Sequence, residues 1–238
     1  NWSSIGKETD HNDLSERLGC SHTSVRAYRT NAGTAIPLDR WQERLVVPIE
    51  GSGTLGVDGN HYNENQSIAM VQAGVPAELS SDSITVWLVV SAPAEPTSDV
   101  NYTSIDVQDL EFVDPETSPI LTARVTNALH CSGMKVNVRR LDQGEAVPYH
   151  TEGSQEEIYV PLDGPGKLRV GGTTLPVKRG TVCRFASEIP RSAVNPTSQR
   201  VRWLMVGAPP TGDADEWDPG AKVRVWGDAD LEEASPKR

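Results

Sequence analysis

Three blocks of this sequence occur twice in the same order, and no other feature limits the available folds as tightly. Gly33-Thr34-Ala35-Ile36-Pro37 returns as Gly144-Glu145-Ala146-Val147-Pro148. Val47-Pro48-Ile49-Glu50-Gly51 returns as Val160-Pro161-Leu162-Asp163-Gly164, and the likeness continues through Gly53 and Leu55 to Gly166 and Leu168. Trp87-Leu88-Val89-Val90-Ser91-Ala92-Pro93 returns as Trp203-Leu204-Met205-Val206-Gly207-Ala208-Pro209. The offset is 111 residues at Gly33 and 116 at Trp87, so only short insertions separate the copies. A period above about 100 residues is too long for a solenoid and means two copies of one domain. The 238 residues suffice for both, each with its own core.

Within each copy the signals are those of strands. Val136 and Val138 alternate with polar neighbours, and the runs Ile84–Val90 and Arg200–Val206 are β-branched and aromatic between turn residues. Asp58-Gly59, Gly171-Gly172 and Gly164-Pro165-Gly166 are the turns. One early helix is expected over Asp13–Leu18, capped by Asn12 or Asp13 and stopped by Gly19. The expected organisation is an N-terminal segment (1–21), a first barrel (22–95), a linker (96–129), a second barrel (130–210) and an acidic tail (211–238). In that tail Val223–Trp226 is expected to add an edge strand, with Trp217 and Trp226 as contact residues.

Lys and Arg total 22 against 33 Asp and Glu, giving a formal charge of −11. That balance lacks the basic footprint of a nucleic-acid binder. The longest apolar run, Ile84–Ala94, falls short of the roughly 20 residues that span a bilayer, and neither a signal nor a transit pattern opens the sequence. A soluble chain is expected. The bases are 16 Arg and only 6 Lys, and the acids are dispersed. This composition resembles that of halophile proteins, whose anionic surfaces are screened by strong salt. Cys20, Cys131 and Cys183 have no metal or redox spacing. There is no G-x-S-x-G, phosphate-binding loop, dinucleotide fingerprint or H-E-x-x-H.

In the second copy Gly144, His150, Glu152, Glu157 and Gly164 are spaced as in the first cupin motif, G-x5-H-x-H-x(3,4)-E-x6-G. Gly180, Pro190, Arg191 and Asn195 follow the second motif more loosely. The chain therefore resembles a bicupin, an all-β protein of two tandem cupin-like jelly-roll barrels. The resemblance implies a divalent metal held by three histidines and a glutamate, of which only His150 and Glu157 match. Glu152 replaces the second histidine and Arg191 the third. A guanidinium about 4 Å from a dication repels it by about 8 kcal/mol at an effective dielectric of about 20. The expectation is thus a degenerate pocket of His150, Glu152, Glu157 and Arg191 with no metal, no cofactor and no catalytic residue. Should a metal bind after all, its ligands are expected to be His150, Glu152 and Glu157.

Aligned by the repeat, the first copy has Asp39, Trp41 and Arg44 where the second has His150, Glu152 and Glu157, and Ala77 or Glu78 where it has Arg191. No ligand set remains there. Asp39, Arg40, Glu43 and Arg44 are expected to form a solvated or interfacial charge cluster, and Trp41 to be a core or interface aromatic.

Tandem barrels with an erased site, in an acidic Lys-poor chain, resemble the larger major capsid protein of membrane-containing, tailless icosahedral viruses of haloarchaea. That resemblance implies a structural role in a virion capsid, as a homo-oligomer with a smaller single-barrel capsid protein. It also implies proximity to an internal lipid membrane, no nucleic-acid contact and an inter-subunit disulfide at Cys20. The alternatives are a cellular, cytoplasmic bicupin metalloenzyme (dioxygenase, decarboxylase or sugar isomerase) and a metal-free bicupin that binds a small sugar or acid.

Overall fold

The computed structural model describes residues 11–95, 100–114 and 120–212, together with the backbone of 222–226 and 233–234. The chain divides into two units, Asn1–Leu110 with Thr126–Met134 and Glu111–Val125 with Lys135–Arg238. Both are almost entirely β.

The first unit holds β1 (His11–Asp13), the helix α1 (Ser15–Leu18), β2 (Ser24–Thr30), β3 (Ala35–Pro37), β4 (Glu43–Glu50) and β5 (Gly53–Val57). It continues with β6 (Asn60–Glu64), β7 (Ser67–Val71), β8 (Ala77–Ser80), β9 (Thr85–Ala92) and β10 (Tyr102–Asp106). Its two antiparallel sheets run β1-β2-β9-β4-β7-β10 and β3-β8-β5-β6. The helix is one turn long and stops at Gly19, whose φ of 69° suits glycine. Its N-cap residue is Leu14, not Asn12 or Asp13, although Asp13 does accept the Ser15 N–H.

The second unit holds β11 (Leu121–Arg124), β12 (Lys135–Leu141), β13 (Tyr149–Thr151), β14 (Glu156–Pro161), β15 (Gly166–Val170) and β16 (Thr173–Val177). It continues with β17 (Cys183–Phe185), β18 (Arg191–Val194), β19 (Val201–Ala208), β20 (Lys222–Trp226) and β21 (Glu233–Ala234). Its sheets run β11-β12-β19-β14-β17 and β16-β15-β18-β13-β20-β21. The order of equivalent strands is the same in both units, so the sequence repeat is a repeat of topology. The Val223–Trp226 segment does add a strand, β20, which pairs with β13. Trp217 lies outside the described residues.

The stretch expected as a linker, 96–129, is corrected. β10 completes a sheet of the first unit by pairing with β7, and β11 opens a sheet of the second by pairing with β12. β11 is the counterpart of β1: Asp13 pairs with Arg26 and Arg124 with Asn137, the same register displaced by 111 residues. Segment 126–134 returns to the first unit, where the buried Glu43 carboxylate accepts the N–H groups of Ser132 (2.9 Å) and Gly133 (2.8 Å). The physical reason is that an unpaired sheet edge leaves a row of backbone donors and acceptors open, and the connecting chain satisfies them.

The repeated Gly and Trp residues explain one another. A Cβ on Gly53 would lie 2.5 Å from the Trp87 ring, and one on Gly166 would lie 2.2 Å from the Trp203 ring. Each tryptophan is fully buried and needs that flat floor. Trp87 shares a core cluster with Val46, Leu55, Ala69, Leu79 and Val89, and Trp203 shares one with Leu141, Tyr159, Leu168, Phe185 and Met205.

Candidate functional site

Opposed strands bring the polar residues of the second barrel together. His150 on β13 and Arg191 on β18 are direct cross-strand partners, so both side chains leave one face of that sheet. Glu157 and Tyr159 stand two residues apart on β14 and share a face of the other sheet. Glu152 follows β13, its N–H donating to the Ser187 carbonyl at 2.8 Å. His150, Glu152, Tyr159 and Arg191 are buried, while the Glu157 side chain keeps 13% of its surface exposed and is where the cluster meets solvent.

Arg191 points inward. Its Nε donates to Glu157 Oε2 at 3.0 Å, Nη2 makes a further short bond to the same oxygen, and Nη2 lies 3.4 Å from Glu152 Oε1. Nη1 donates to the carbonyls of Ser187 (3.2 Å) and Ile189 (3.3 Å). His150 Nδ1 lies 2.6 Å from the Pro148 carbonyl, and Nε2 lies 3.2 Å from Glu152 Oε1, 3.8 Å from Glu157 Oε2 and 3.5 Å from the Tyr159 hydroxyl. Glu152 Oε2 has no hydrogen-bond partner.

The two carboxyls are pushed apart. Burial opposes ionisation of Glu157, but the Arg191 guanidinium and His150 outweigh it and hold this carboxyl below its ordinary 4.5. At Glu152 burial prevails, with Glu157 adding to it, and the carboxyl is raised above 4.5. Burial and the Glu157 charge push the Tyr159 hydroxyl well above 10.

His150, Glu152 and Glu157 each offer an atom within 4.8 Å of the other two, which is a metal-ligand spacing. The divalent metal of the resemblance nevertheless does not fit this set. A first-row ion sits about 2.0–2.2 Å from its nitrogen and oxygen ligands. The hydrogens of Arg191 already occupy the lone pairs of Glu157 Oε2 and face those of Glu152 Oε1. The four residues read from motif spacing do converge. Tyr159 was missed, although its position two residues after Glu157 on a strand was the signal that it faces the same way.

In the first barrel the expectation is corrected. Trp41 is 76% exposed and Asp39 and Arg40 are exposed, but Glu43 and Arg44 are fully buried. Arg44, at the position of Glu157, donates to the carbonyls of Asp39 (3.0 Å), Gln72 (2.6 Å) and Val75 (2.8 Å). Burial lowers its pKa to about 10. The loop it binds, 72–76, is the counterpart of the loop whose carbonyls Arg191 binds. Each barrel thus has an interior guanidinium on the same loop, reached from β4 in the first copy and from β18 in the second. Sequence reasoning took Arg44 for a surface charge because charge favours water. The signal against that was its alignment with an inward motif residue. Cys20 is half-buried just beyond α1, and no disulfide joins the described cysteines.

These barrels, with their paired sheets and an interior polar cluster on β13, β14 and β18, have the fold of two tandem cupin-like jelly rolls. A family model described as a cupin domain matches residues 137–207. No curated protein sequence matches the chain. Among solved structures, a salicylate 1,2-dioxygenase from Pseudoaminobacter salicylatoxidans is similar with a TM-score of 0.68 and 12% identity, covering 86% of this chain and 78% of that one. A cupin 2 conserved barrel domain protein from Leptotrichia buccalis has a TM-score of 0.61 and 12% identity, covering 86% and 98%. Oxalate decarboxylase from Bacillus subtilis has a TM-score of 0.61 and 9% identity, covering 85% and 73%. At these identities the likeness is one of fold.

Proposed function

We propose that the chain is a metal-independent bicupin whose second barrel binds a small organic molecule, the first barrel serving as scaffold. One observation carries this reading: the buried Arg191 guanidinium stands among His150, Glu152 and Glu157, where the resemblance puts a metal. The solved structures of similar fold include a dioxygenase and a decarboxylase, which supports a bicupin acting on small molecules ahead of a capsid shell. The capsid partners belong to that shell reading, and nothing in the site supports it. His150 and Glu152 lie within reach of one shared proton, and the Tyr159 hydroxyl is 3.5 Å from His150. Those groups suit proton exchange with a bound ligand.

Elemental analysis of the purified chain tests the proposal, with thermal unfolding followed with and without chelator. The expected result is less than a tenth of an equivalent of Mn, Fe, Ni or Zn and an unchanged melting temperature. Stoichiometric metal that disappears in His150→Ala would overturn it in favour of a metalloenzyme.

A further inference from the structure

Two equivalent sheets end differently. In the sheet of β4, β7 is followed by β10, whereas in the sheet of β14 the last described strand is β17. β17 is the counterpart of β7, since Cys183 stands opposite Tyr159 as Ala69 stands opposite Val46. The first barrel shows what the place beyond that strand takes. Tyr102 of β10 stacks on Tyr62 of β6 with ring centroids 3.9 Å apart, and its hydroxyl makes a short bond to Glu64 Oε1. Ser104 donates to Glu64 Oε2 at 2.9 Å. One added strand thus extends one sheet through its backbone and seals the seam against the other through alternate side chains.

In the second barrel no described strand seals this seam, and its chemistry has changed. Leu175 stands opposite Leu168 as Tyr62 stands opposite Leu55, and Val177 stands opposite Gly166 as Glu64 stands opposite Gly53. A tyrosine ring and a buried carboxylate have become two aliphatic side chains, and Leu175 keeps 48% of its surface exposed. Beside them lies a strand edge, where alternate N–H and C=O groups point away from β14.

Charge singles out the same place. The chain's formal charge is −11, yet residues 164–187 hold Lys167, Arg169, Lys178, Arg179 and Arg184 and no acid. Of the acids that bound this stretch, Asp163 is paired with Arg202, and Glu188 lies beyond β17. Arg184 is set against Glu156 at 2.8 Å, and Lys178 and Arg179 are exposed in the loop that enters β17. In the first barrel β10 runs antiparallel to β7 and brings its last residue, Asp106, opposite Ser67 at the start of that strand. A strand added to β17 in the same sense brings its C-terminal end to Lys178 and Arg179.

We infer that the edge of β17 is a docking surface for an extended segment of a partner protein, which joins the sheet antiparallel, lays aliphatic side chains on Leu175 and Val177 and carries acidic residues at its C-terminal end. Main-chain hydrogen bonds supply the affinity of such strand addition and alternate side chains its selectivity. The acids steer the segment to the basic loop. This surface lies on the barrel wall and does not depend on the ligand reading of the interior.

The test is selection of random displayed nonapeptides on the intact chain, followed by fluorescence anisotropy of the most enriched peptide. The expected result is a family of sequences with aliphatic residues at alternate positions and Asp or Glu after them, binding saturably. Leu175→Asp and Lys178→Glu, both at exposed positions, should each weaken binding at least tenfold, and thermal unfolding shows whether each variant remains folded. Methylating the peptide's backbone nitrogens at one set of alternate positions should abolish binding, and methylating the other set should leave it within a few fold. No enriched family, enriched peptides without acids, indifference to Leu175→Asp in the folded chain, or equal loss from both methylated sets would overturn the inference. A dimer of the parent chain that Leu175→Asp dissolves would give the edge to a second copy, and displacement of the peptide by an oligo-dT strand would give the bases to nucleic acid. Either result overturns it as well.

Discussion

Exchanging Arg191 for histidine would change both the charge and the donor set at one position. Residue 191 stands opposite His150, so the variant would present two imidazoles and two carboxylates with no guanidinium among them. Arg191→His is expected to take up close to one equivalent of Ni or Zn on equilibrium dialysis, where the parent takes up none; equal uptake by both would show that Arg191 does not exclude the ion. Arg191→Met leaves two buried carboxylates without their cation and should cost about 3–5 kcal/mol in urea unfolding. The same pair gives a pH dependence of definite sign. Glu157 is held below 4.5 in the fold and returns to about 4.5 when unfolded, so the unfolded chain binds the extra proton as pH falls. Its contribution is complete above 4.5 and drains away below it, through the folded value. Glu152, raised in the fold, has the opposite sign: its contribution is largest below 4.5 and falls as pH rises through its folded value. The acid limb of a stability profile should therefore flatten in Glu157→Gln, and an unchanged limb would mean that Arg191 does not hold the carboxylate. At this scale motif spacing disclosed His150, Glu152, Glu157 and Arg191. It did not disclose Arg44, because a guanidinium bonded only to backbone carbonyls has no side-chain partner that a sequence pattern can show.

Strands β5 and β15 each begin with the glycine that lies under a tryptophan of the neighbouring β9 or β19, and this contact fixes how closely the two sheets approach. Gly166→Ala would drive a methyl to 2.2 Å from Trp203 with no flexible atom to yield, and overpacking of this kind costs about 1–3 kcal/mol. Gly53→Ala meets both the Trp87 ring and the Ser80 carbonyl at 2.5 Å and should cost at least as much. Urea unfolding measures both; two neutral substitutions would show that the tryptophans can tilt away. These glycines were visible in the sequence as repeated letters because side-chain packing constrains them. The edge strands were not. β1 reads His-Asn-Asp and β11 reads Leu-Thr-Ala-Arg, yet they hold equivalent registers. An edge strand is held largely by backbone hydrogen bonds, which any residue but proline can make, so its side chains are free to diverge and a stretch of barrel reads as linker.

Over the whole molecule the repeat has kept the architecture and divided the chemistry. Arg44 in the first barrel is bonded to backbone alone, whereas Arg191 in the second is set among two carboxylates and a histidine. Every residue of the polar cluster lies in the second unit. A ligand bound there stabilises the states that keep the cluster formed, by about 2.7 kcal/mol at a hundredfold excess over Kd. Hydrogen exchange with and without a saturating small-molecule ligand reads where that stabilisation falls. Amides of β13, β14 and β18 should slow at least tenfold, while those of β4, β8 and β9 keep their rates. Slowing confined to the first unit would place the ligand in the wrong barrel. Equal slowing in both would mean that the units open only together, so that a ligand held in one barrel stabilises the entire chain and not one domain.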